Sequence, residues 1–228
     1  MWTPYLASYQ QLKQLGETDA YVYIKTGTLP PLPITLQEFQ NHLRIDIPLE
    51  ITSYLTLIMQ SAVNFFESYS AMTCLSTQWI TYRNGFEAPA IDLRKGYFQS
   101  LQSFQYMDKT TLLFVSVDPT VYQVVPTSYF GQITKIIDQV YPYTNIAIRQ
   151  NNVKISFTSG LALAPTDFAV SYPDLKMALL DHCAFLYANR GNAISGNNFA
   201  NELPDFIREV YDRYKAPCLF GGVIAGMV

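Results

Sequence analysis

One stretch, in which a complete helix start precedes a long apolar repeat, constrains the fold of this chain most. Thr35 can cap the free N–H groups of a helix, and Glu38 three residues later can reach back to complete a capping box. Ile34 comes directly before the cap, where its side chain can pack onto Phe39. The pattern predicts a short first helix with Leu36, Phe39 and Leu43 on its inner side and His42 as a further candidate for that side.

A second, longer helix is predicted directly downstream. Pro48 cannot continue the first helix but is suited to the first turn of the next one. From there, apolar residues recur at three- and four-residue spacing, at Ile51, Tyr54, Leu55, Ile58, Ala62, Phe65, Phe66 and Tyr69. We expect the two helices, joined by a tight polar corner, to fold against each other.

The chain carries little charge for its size. Charged residues make up 14% of its 228 residues, against roughly 25% in typical soluble domains. A length of this order suits one domain with extensions and needs no disulfide or metal for stability. With 17 Tyr and 14 Phe, the composition favours a protein that buries much of its exterior in an assembly. The more common use of such aromatics, in the core and in cross-strand pairs, stays open.

Charge and cysteine content exclude several classes of protein. The net charge is −3 and the longest basic run is Arg94-Lys95, so we expect no tight binding to nucleic acid, although DNA could pass without being held. Cys74, Cys183 and Cys218 lack C-x-x-C spacing and are interpreted as buried thiols of a reducing cytosol. The N-terminus does not resemble a signal peptide, and the longest apolar run, Cys218 to Val228, is too short to span a membrane.

Period-two patterns follow the long helix and predict five to seven short strands. The segments are STQWITYR (76–83), AIDLR (90–94), LQSFQYMD (101–108), TLLFVSV (111–117), VYQVV (121–125), GQITKII (131–137) and NVKISFTSG (152–160). Turn residues such as Asn84-Gly85 and Asp108-Lys109 lie between them, which favours an antiparallel meander. In the last segment Val153, Ile155 and Phe157 alternate with polar residues, as expected for a sheet with one wet face.

Helical patterns return near the C-terminus. Ser171 and Asp174 form an S-x-x-D start with Pro173 in the first turn. The helix that follows carries Leu175, Ala178, Leu179, His182, Ala184, Phe185 and Leu186 and ends at Gly191, before a loop over 192–201. The last helix is amphipathic, with Leu203, Phe206, Ile207, Val210, Tyr211 and Tyr214 on one face. Glu209 and Arg213 are placed to pair across one turn of it.

The fold class predicted from these patterns is α+β. Two N-terminal helices (35–69) and two C-terminal helices (172–215) form a bundle, and an antiparallel β-rich region (76–160) is inserted between them. Residues 1–33 are predicted as an extension arm, with a helix at 5–15 and a short strand at Tyr21 to Ile24, and residues 216–228 as an apolar tail.

The sequence offers little for catalysis. Of the two histidines, His42 comes four residues before Asp46, and His182 lies between Asp181 and Cys183. Adjacent residues of a helix point in different directions, so His182 and Cys183 do not form a nucleophile–base pair. Neither a zinc-ligand spacing nor a phosphate-loop, dinucleotide or serine-hydrolase motif occurs. We therefore expect a non-enzyme with no catalytic residues, no cofactor and no metal.

The order of elements resembles the head-to-tail connector (adaptor) family of tailed phages, whose members form a ring beneath the portal. The matching segments are ITLQEFQNHLRID, NFFESYS followed by STQW, IDL with LQSFQYMD, VKISFTSG ahead of YPDLKMALLDHCAFLYANRG, and LPDFIREVYDRYK. They span about Ile34 to Lys215. After the long helix this chain has Tyr69-Ser70-Ala71, where the family often has a Y-T-G-like sequence that ends in glycine. The arm and the tail lie outside the family pattern.

The resemblance implies a structural virion protein, made in the host cytoplasm and located in the virion neck. Its implied partners are further copies of itself in a ring, commonly of twelve, the portal protein, and a stopper or tail-completion protein. Genomic DNA would pass through the ring without tight binding, and no membrane is involved. Alternatives are another neck or tail-completion protein, such as a stopper or tail terminator, or a small-molecule or carbohydrate-binding accessory domain.

Two docking hypotheses follow from the segments at the ends of the chain. The last helix and the apolar tail would bind the portal, because an uncharged tail with glycine hinges promotes aggregation if it stays exposed. The candidate portal-binding residues are Tyr211, Tyr214, Lys215, Pro217, Leu219, Phe220, Val223 and Ile224. The arm, Met1 to Pro33, would lie against a neighbouring subunit or another neck protein.

Overall fold

The computed structural model describes most of the chain between residues 22 and 215. The described ranges are 22–28, 30–44, 52–86, 90–126, 129–143, 151–189 and 203–215. Several predictions lie outside them, namely the helix at 5–15, Tyr21, Pro48, Ile51, the helix end at Gly191, the loop 192–201 and the tail 216–228.

Within these ranges the chain forms five α-helices and eight β-strands. The helices are α1 (Leu36–Leu43), α2 (Thr52–Ser70), α3 (Pro165–Ser171), α4 (Pro173–Ala188) and α5 (Asp205–Arg213). The strands are β1 (Tyr23–Thr26), β2 (Thr77–Arg83), β3 (Ala90–Leu93), β4 (Phe98–Met107), β5 (Phe114–Ser116), β6 (Tyr122–Pro126), β7 (Gly131–Lys135) and β8 (Val153–Ser159). This confirms the predicted α+β class, with α3 as an additional helix. Within the described ranges, the helices all fall short of the length and apolar character that a membrane span requires.

The predicted capping box at the start of α1 is confirmed. The Thr35 hydroxyl accepts a hydrogen bond from the Glu38 backbone N–H at 3.2 Å, and the Glu38 carboxylate accepts one from the Thr35 backbone N–H at 2.8 Å. Phe39 is fully buried, and Ile34 lies in the same core. Two free N–H groups of the helix are thereby satisfied by residues only three positions apart.

The predicted apolar stripe of α2 is correct in its centre and wrong at two positions. Its buried residues are Leu55, Ile58, Met59, Ala62, Val63, Phe66, Glu67 and Ser70. Tyr54 and Phe65 are instead 39% and 42% exposed. The buried face is rotated by about one residue relative to the prediction, because the side of α2 that carries Met59 and Val63 also belongs to the helical core. Ala71, directly after the helix, has φ 59°, the left-handed conformation that favours glycine.

All strand pairs are antiparallel, as predicted, but the strands do not form one meander. One sheet has the order β1-β2-β8-β4-β5, and a second has the order β3-β7-β6. The hairpins β4–β5 and β6–β7 follow the local turns, whereas β2 pairs with β1 and β8 and not with β3. Val153, Ile155 and Phe157 of β8 are fully buried. A strand with three fully buried apolar side chains needs neighbouring structure to cover them. A central position between β2 and β4 therefore suits β8 better than an edge position.

The predicted start of the first C-terminal helix is wrong at Ser171. Ser171 ends α3, and α4 begins at Pro173 after Tyr172, whose side chain makes no capping hydrogen bond. Pro173 does occupy the first turn, as predicted, because a proline has no N–H that needs a partner there. The extra helix α3 arises because Pro165 begins it and Phe168 anchors it in the core.

The bundle and the sheets each have their own core, joined by a strip of backbone. Gly160 to Ala162, after β8, runs beside the segment between α2 and β2, where Leu161 N–H bonds Thr73 O at 2.8 Å and Ala162 N–H bonds Cys74 O at 3.2 Å. A Cβ at Gly160 would lie 2.5 Å from backbone atoms of Leu75 and Ser76. This close approach fixes the bundle against the five-stranded sheet.

Candidate assembly surfaces

Tyr211, the first of the predicted portal-binding residues, is not on the surface. It is fully buried, with its ring 4.9 Å from that of Phe66 and its hydroxyl 3.1 Å from Nδ1 of His182. An aromatic residue on the apolar face of an amphipathic helix is expected to turn toward the helices beneath it, as Tyr211 does. Its side chain therefore belongs to the bundle core and cannot contact a partner.

Tyr214 and Lys215 lie at the end of α5 in a network of polar contacts. The Tyr214 hydroxyl donates to Asp174 Oδ1 at 2.7 Å, and the Arg213 guanidinium lies 3.5 Å from the other oxygen of the same carboxylate. Burial opposes ionisation of Asp174, but these contacts outweigh it and hold its pKa below the usual range. Lys215 is exposed, with Nζ 4.5 Å from the centre of the Tyr69 ring.

Lys215 is therefore the predicted residue that the structure leaves accessible in this part of the chain. Phe206, which the sequence predicted on the apolar face of this helix together with Tyr211, is instead 56% exposed. The other predicted portal-binding residues, Pro217, Leu219, Phe220, Val223 and Ile224, lie outside the described residues. Their role stays a prediction.

The buried histidine and cysteines are poorly suited to acid–base or nucleophilic chemistry. Burial lowers the pKa of His182 to about 4 and raises that of Cys183 to about 12, so both side chains are neutral near pH 7. Cys74 and Cys183 are free and buried, as the sequence predicted, while Cys218 lies outside the described residues. The ring of His182 packs edge-on against Phe65 at 5.1 Å, which is a packing role.

Of the histidine and aspartate residues considered for a catalytic site, the structure brings one pair together. His42 Nε2 of α1 lies 3.0 Å from Asp181 Oδ1 of α4, so this contact joins two helices. His182 points away to Tyr211, and Asp46 lies outside the described residues. Among the residues that the structure describes, histidine, cysteine and acidic side chains nowhere gather in a group of three that could hold a metal ion.

Sequence reasoning missed a partly buried ion pair that ties the predicted arm to the bundle. Lys25 of β1 lies 2.7 Å from Glu67 of α2, and the second carboxylate oxygen of Glu67 accepts from the Cys74 backbone N–H at 3.0 Å. Lys25 also lies over the Trp79 ring, at 5.3 Å from its centre. Glu67 comes four residues after Val63 on the buried face of α2. A charged residue on a buried helix face needs a partner, so this position was the signal in the sequence that could have indicated the ion pair.

Two surface features lie at opposite edges of the five-stranded sheet, an apolar turn and a groove lined by both apolar and polar residues. At one edge, the turn between β4 and β5 exposes Leu112 and Leu113. At the other edge, a groove of about 480 Å³ opens between β1, the segment 30–33 and the side of α2. Exposed apolar side chains are common on proteins, but neighbouring leucines at a turn are unusual.

These observations define an α+β protein with a helical bundle, two antiparallel sheets and exposed apolar surface. No protein-family model and no curated protein matches the chain. Solved structures do match its fold. A chain in the neck of an empty gene transfer agent particle, computed with C6 symmetry, has a TM-score of 0.68 at 16% identity, and the match covers 88% of this chain and 98% of that chain.

Two further matches come from native particles of the same kind. A chain of the virion of the native gene transfer agent particle has a TM-score of 0.66 at 16% identity, and a chain of the native neck computed with C12 symmetry has 0.64 at 18% identity. Each match covers 88% of this chain and 98% of the other. The likeness concerns the fold and extends over nearly the whole of the neck chains.

Proposed function

We propose that this protein is a head-to-tail connector (adaptor) of a tailed phage or phage-like particle and works in the virion neck. The observation that carries the proposal is the shared fold with neck chains of gene transfer agent particles, at TM-scores of 0.64–0.68 over 98% of those chains. The order of elements predicted from the sequence, which resembles the connector family, also supports the proposal. A structural role that needs no catalysis also agrees with the neutral, buried His182 and Cys183.

In this proposal the copies form a ring, commonly of twelve, that joins the portal protein to a stopper or tail-completion protein. The C6 and C12 symmetries of the matched necks support a rotationally symmetric assembly. The net charge of −3 per copy supports a lumen through which genomic DNA passes without being held, because a ring of negative charge does not neutralise phosphates.

The portal contact is proposed for the end of α5 and the tail. Lys215 is exposed, and residues 216–228 that follow it carry no charged side chain. Tyr214 is held by Asp174 and would set the direction in which the chain leaves the bundle, while Tyr211 takes no part. Deletion of Pro217 to Val228 is expected to leave a folded protein that does not attach to portal-containing heads. Normal attachment of the deletion variant would refute the portal contact.

The arm is proposed to contact a neighbouring subunit or another neck protein through residues 1–21. Deletion of all of residues 1–33 would be a poor test, because β1 and Lys25 stabilise the chain's own sheet and bundle. Deletion of residues 1–21 alone is expected to weaken assembly without lowering the melting temperature of the isolated protein. Virions of unchanged yield and composition would exclude this role.

The location itself is best tested by electron microscopy of purified particles. A ring of this chain directly below the portal is the expected result, and maps with C12 or C6 symmetry imposed would resolve the path of α5. A ring further along the neck or at the tail would favour the alternative, a stopper or tail terminator. Absence of the chain from purified particles would refute a virion role and favour the accessory-domain alternative.

A further inference from the structure

The turn between β4 and β5 presents apolar side chains where a polar tip is expected. Leu113 is 67% exposed and Leu112 is 44% exposed. Leu112 has φ 57°, a conformation that leucine rarely adopts and that costs conformational energy. Leu112 is strained, both leucines are exposed, and neither side chain belongs to one of the two hydrophobic cores. Backbone outliers of this kind occur at functional contacts.

This turn is held rigid by its own polar residues. One carboxylate oxygen of Asp108 accepts from the backbone N–H groups of Thr110 and Thr111, both at 2.9 Å. The backbone of Asp108 also bonds that of both leucines, donating to Leu113 O and accepting from Leu112 N–H, each at 2.9 Å. A turn that is already ordered loses less conformational entropy on binding than a flexible loop does.

The groove beside β1 offers a matching surface. Its volume is about 480 Å³, more than a pair of leucine side chains requires. The wall formed by Pro30, Pro31 and Pro33 is stiff, because proline fixes the backbone, and the opposite wall is the side of α2 that carries Gln60 and Val63. The ionic groups beside the groove, Lys25 and Glu67, already neutralise each other.

The positions of the turn and the groove suit a ring. In the order β1-β2-β8-β4-β5 the groove lies beside the first strand and the turn joins the last two, and the two edges of the sheet are four strand spacings, or about 19 Å, apart. A ring of identical copies needs two different, complementary surfaces on opposite sides of each copy. We propose that Leu112 and Leu113 of one copy insert into the groove beside β1 of the next copy. The contact rests on the proposed ring function and names the surfaces that form the ring.

The decisive experiment is disulfide trapping in assembled particles. Leu113→Cys and Gln60→Cys are combined in the full chain, with Cys218→Ser to remove one native thiol, and the particles are oxidised and analysed on non-reducing gels. We expect a ladder of covalent multimers that extends to the full ring, because each copy supplies one turn and one groove. Each single-cysteine variant is expected to give no ladder.

A matched control replaces Leu113→Cys by Ile137→Cys, another highly exposed position, which lies after β7. If the Ile137→Cys and Gln60→Cys pair gives an equal ladder, or if the Leu113→Cys pair gives none in particles of normal copy number, the proposed contact is wrong while the ring function stands. Wild-type particles that lack the chain in the neck would instead refute the proposed function.

Charge variants give a second, independent readout. Leu113→Asp changes an exposed side chain, so the melting temperature of the isolated protein is expected to stay unchanged while incorporation into particles falls at least tenfold. Adding Gln60→Lys places a cation in the groove and is expected to restore much of the loss. Normal incorporation of Leu113→Asp alone would overturn the contact.

Discussion

Replacement of Glu67 tests the partly buried ion pair that holds β1 against the bundle. In Glu67→Ala the charged hydrogen bond from Lys25, 2.7 Å long, is lost, at a cost of about 1.5–3 kcal/mol. The Cys74 N–H is also left without its acceptor in a buried site, which costs about 1–3 kcal/mol. Together these losses predict a decrease of about 3–5 kcal/mol in the free energy of unfolding.

Glu67→Gln separates the two contributions. Its amide oxygen can still accept from the Cys74 N–H, but the charge that faces Lys25 is gone. The attraction of unit charges 2.7 Å apart is about 6 kcal/mol at an effective dielectric constant of 20. Desolvation of the buried carboxylate offsets most of it, and the Lys25 side chain, 32% exposed, keeps part of its hydration. We therefore expect a loss of about 1–2 kcal/mol for Glu67→Gln.

The measurement is urea unfolding of the full chain, followed by circular dichroism, for wild type, both Glu67 variants, Lys25→Met and the Lys25→Met/Glu67→Gln double variant. The cycle is expected to give a coupling energy of about 1 kcal/mol that weakens in high salt. A coupling energy near zero would refute the argument for the ion pair. Equal losses for Glu67→Gln and Glu67→Ala would refute the argument for the Cys74 hydrogen bond.

Two further substitutions test the bundle and its junction with the sheet. Burial holds the pKa of His182 at about 4, below its unfolded value of 6.5. Above pH 6.5 the side chain is neutral in both states and folding is not opposed, whereas stability is lost as the pH falls from 6.5 toward 4, because protonation then favours the unfolded state. Wild type should therefore lose about 2 kcal/mol more than His182→Gln between pH 7 and pH 4.5, and parallel pH profiles would contradict this. Gly160→Ala places a Cβ 2.5 Å from backbone atoms of Leu75 and should lower the free energy of unfolding by about 2–3 kcal/mol. Gly85→Ala is the matched control, because a Cβ at Gly85 meets open space. A shift in melting temperature no larger than that of Gly85→Ala would contradict the close approach.

Part of the candidate assembly surface could be predicted from the sequence. The amphipathic pattern of α5 and a turn at Asp108-Lys109 were predicted from local patterns, but Leu112 and Leu113 were predicted within a strand and instead precede it. The network around Asp108 is an interaction among neighbouring residues. The groove was not predictable, because it is formed by β1, the proline segment and α2, which meet only after folding. Tyr211 illustrates the same limit, since an apolar face predicts burial or docking equally well until the neighbouring helices are known.

By itself, the sequence determined the features that depend on neighbouring residues. The capping box of α1 and the hairpins β4–β5 and β6–β7 rest on interactions among residues close in the sequence. Only the tertiary structure decided that β8 inserts between β2 and β4, that β3 joins a separate sheet, and that Lys25 meets Glu67 across 42 positions. The physical reason is that local hydrogen bonds have one partner within reach, whereas buried apolar strands and charges choose among many distant partners. The favoured arrangement is the one that buries the most apolar surface while buried polar groups keep hydrogen-bond partners.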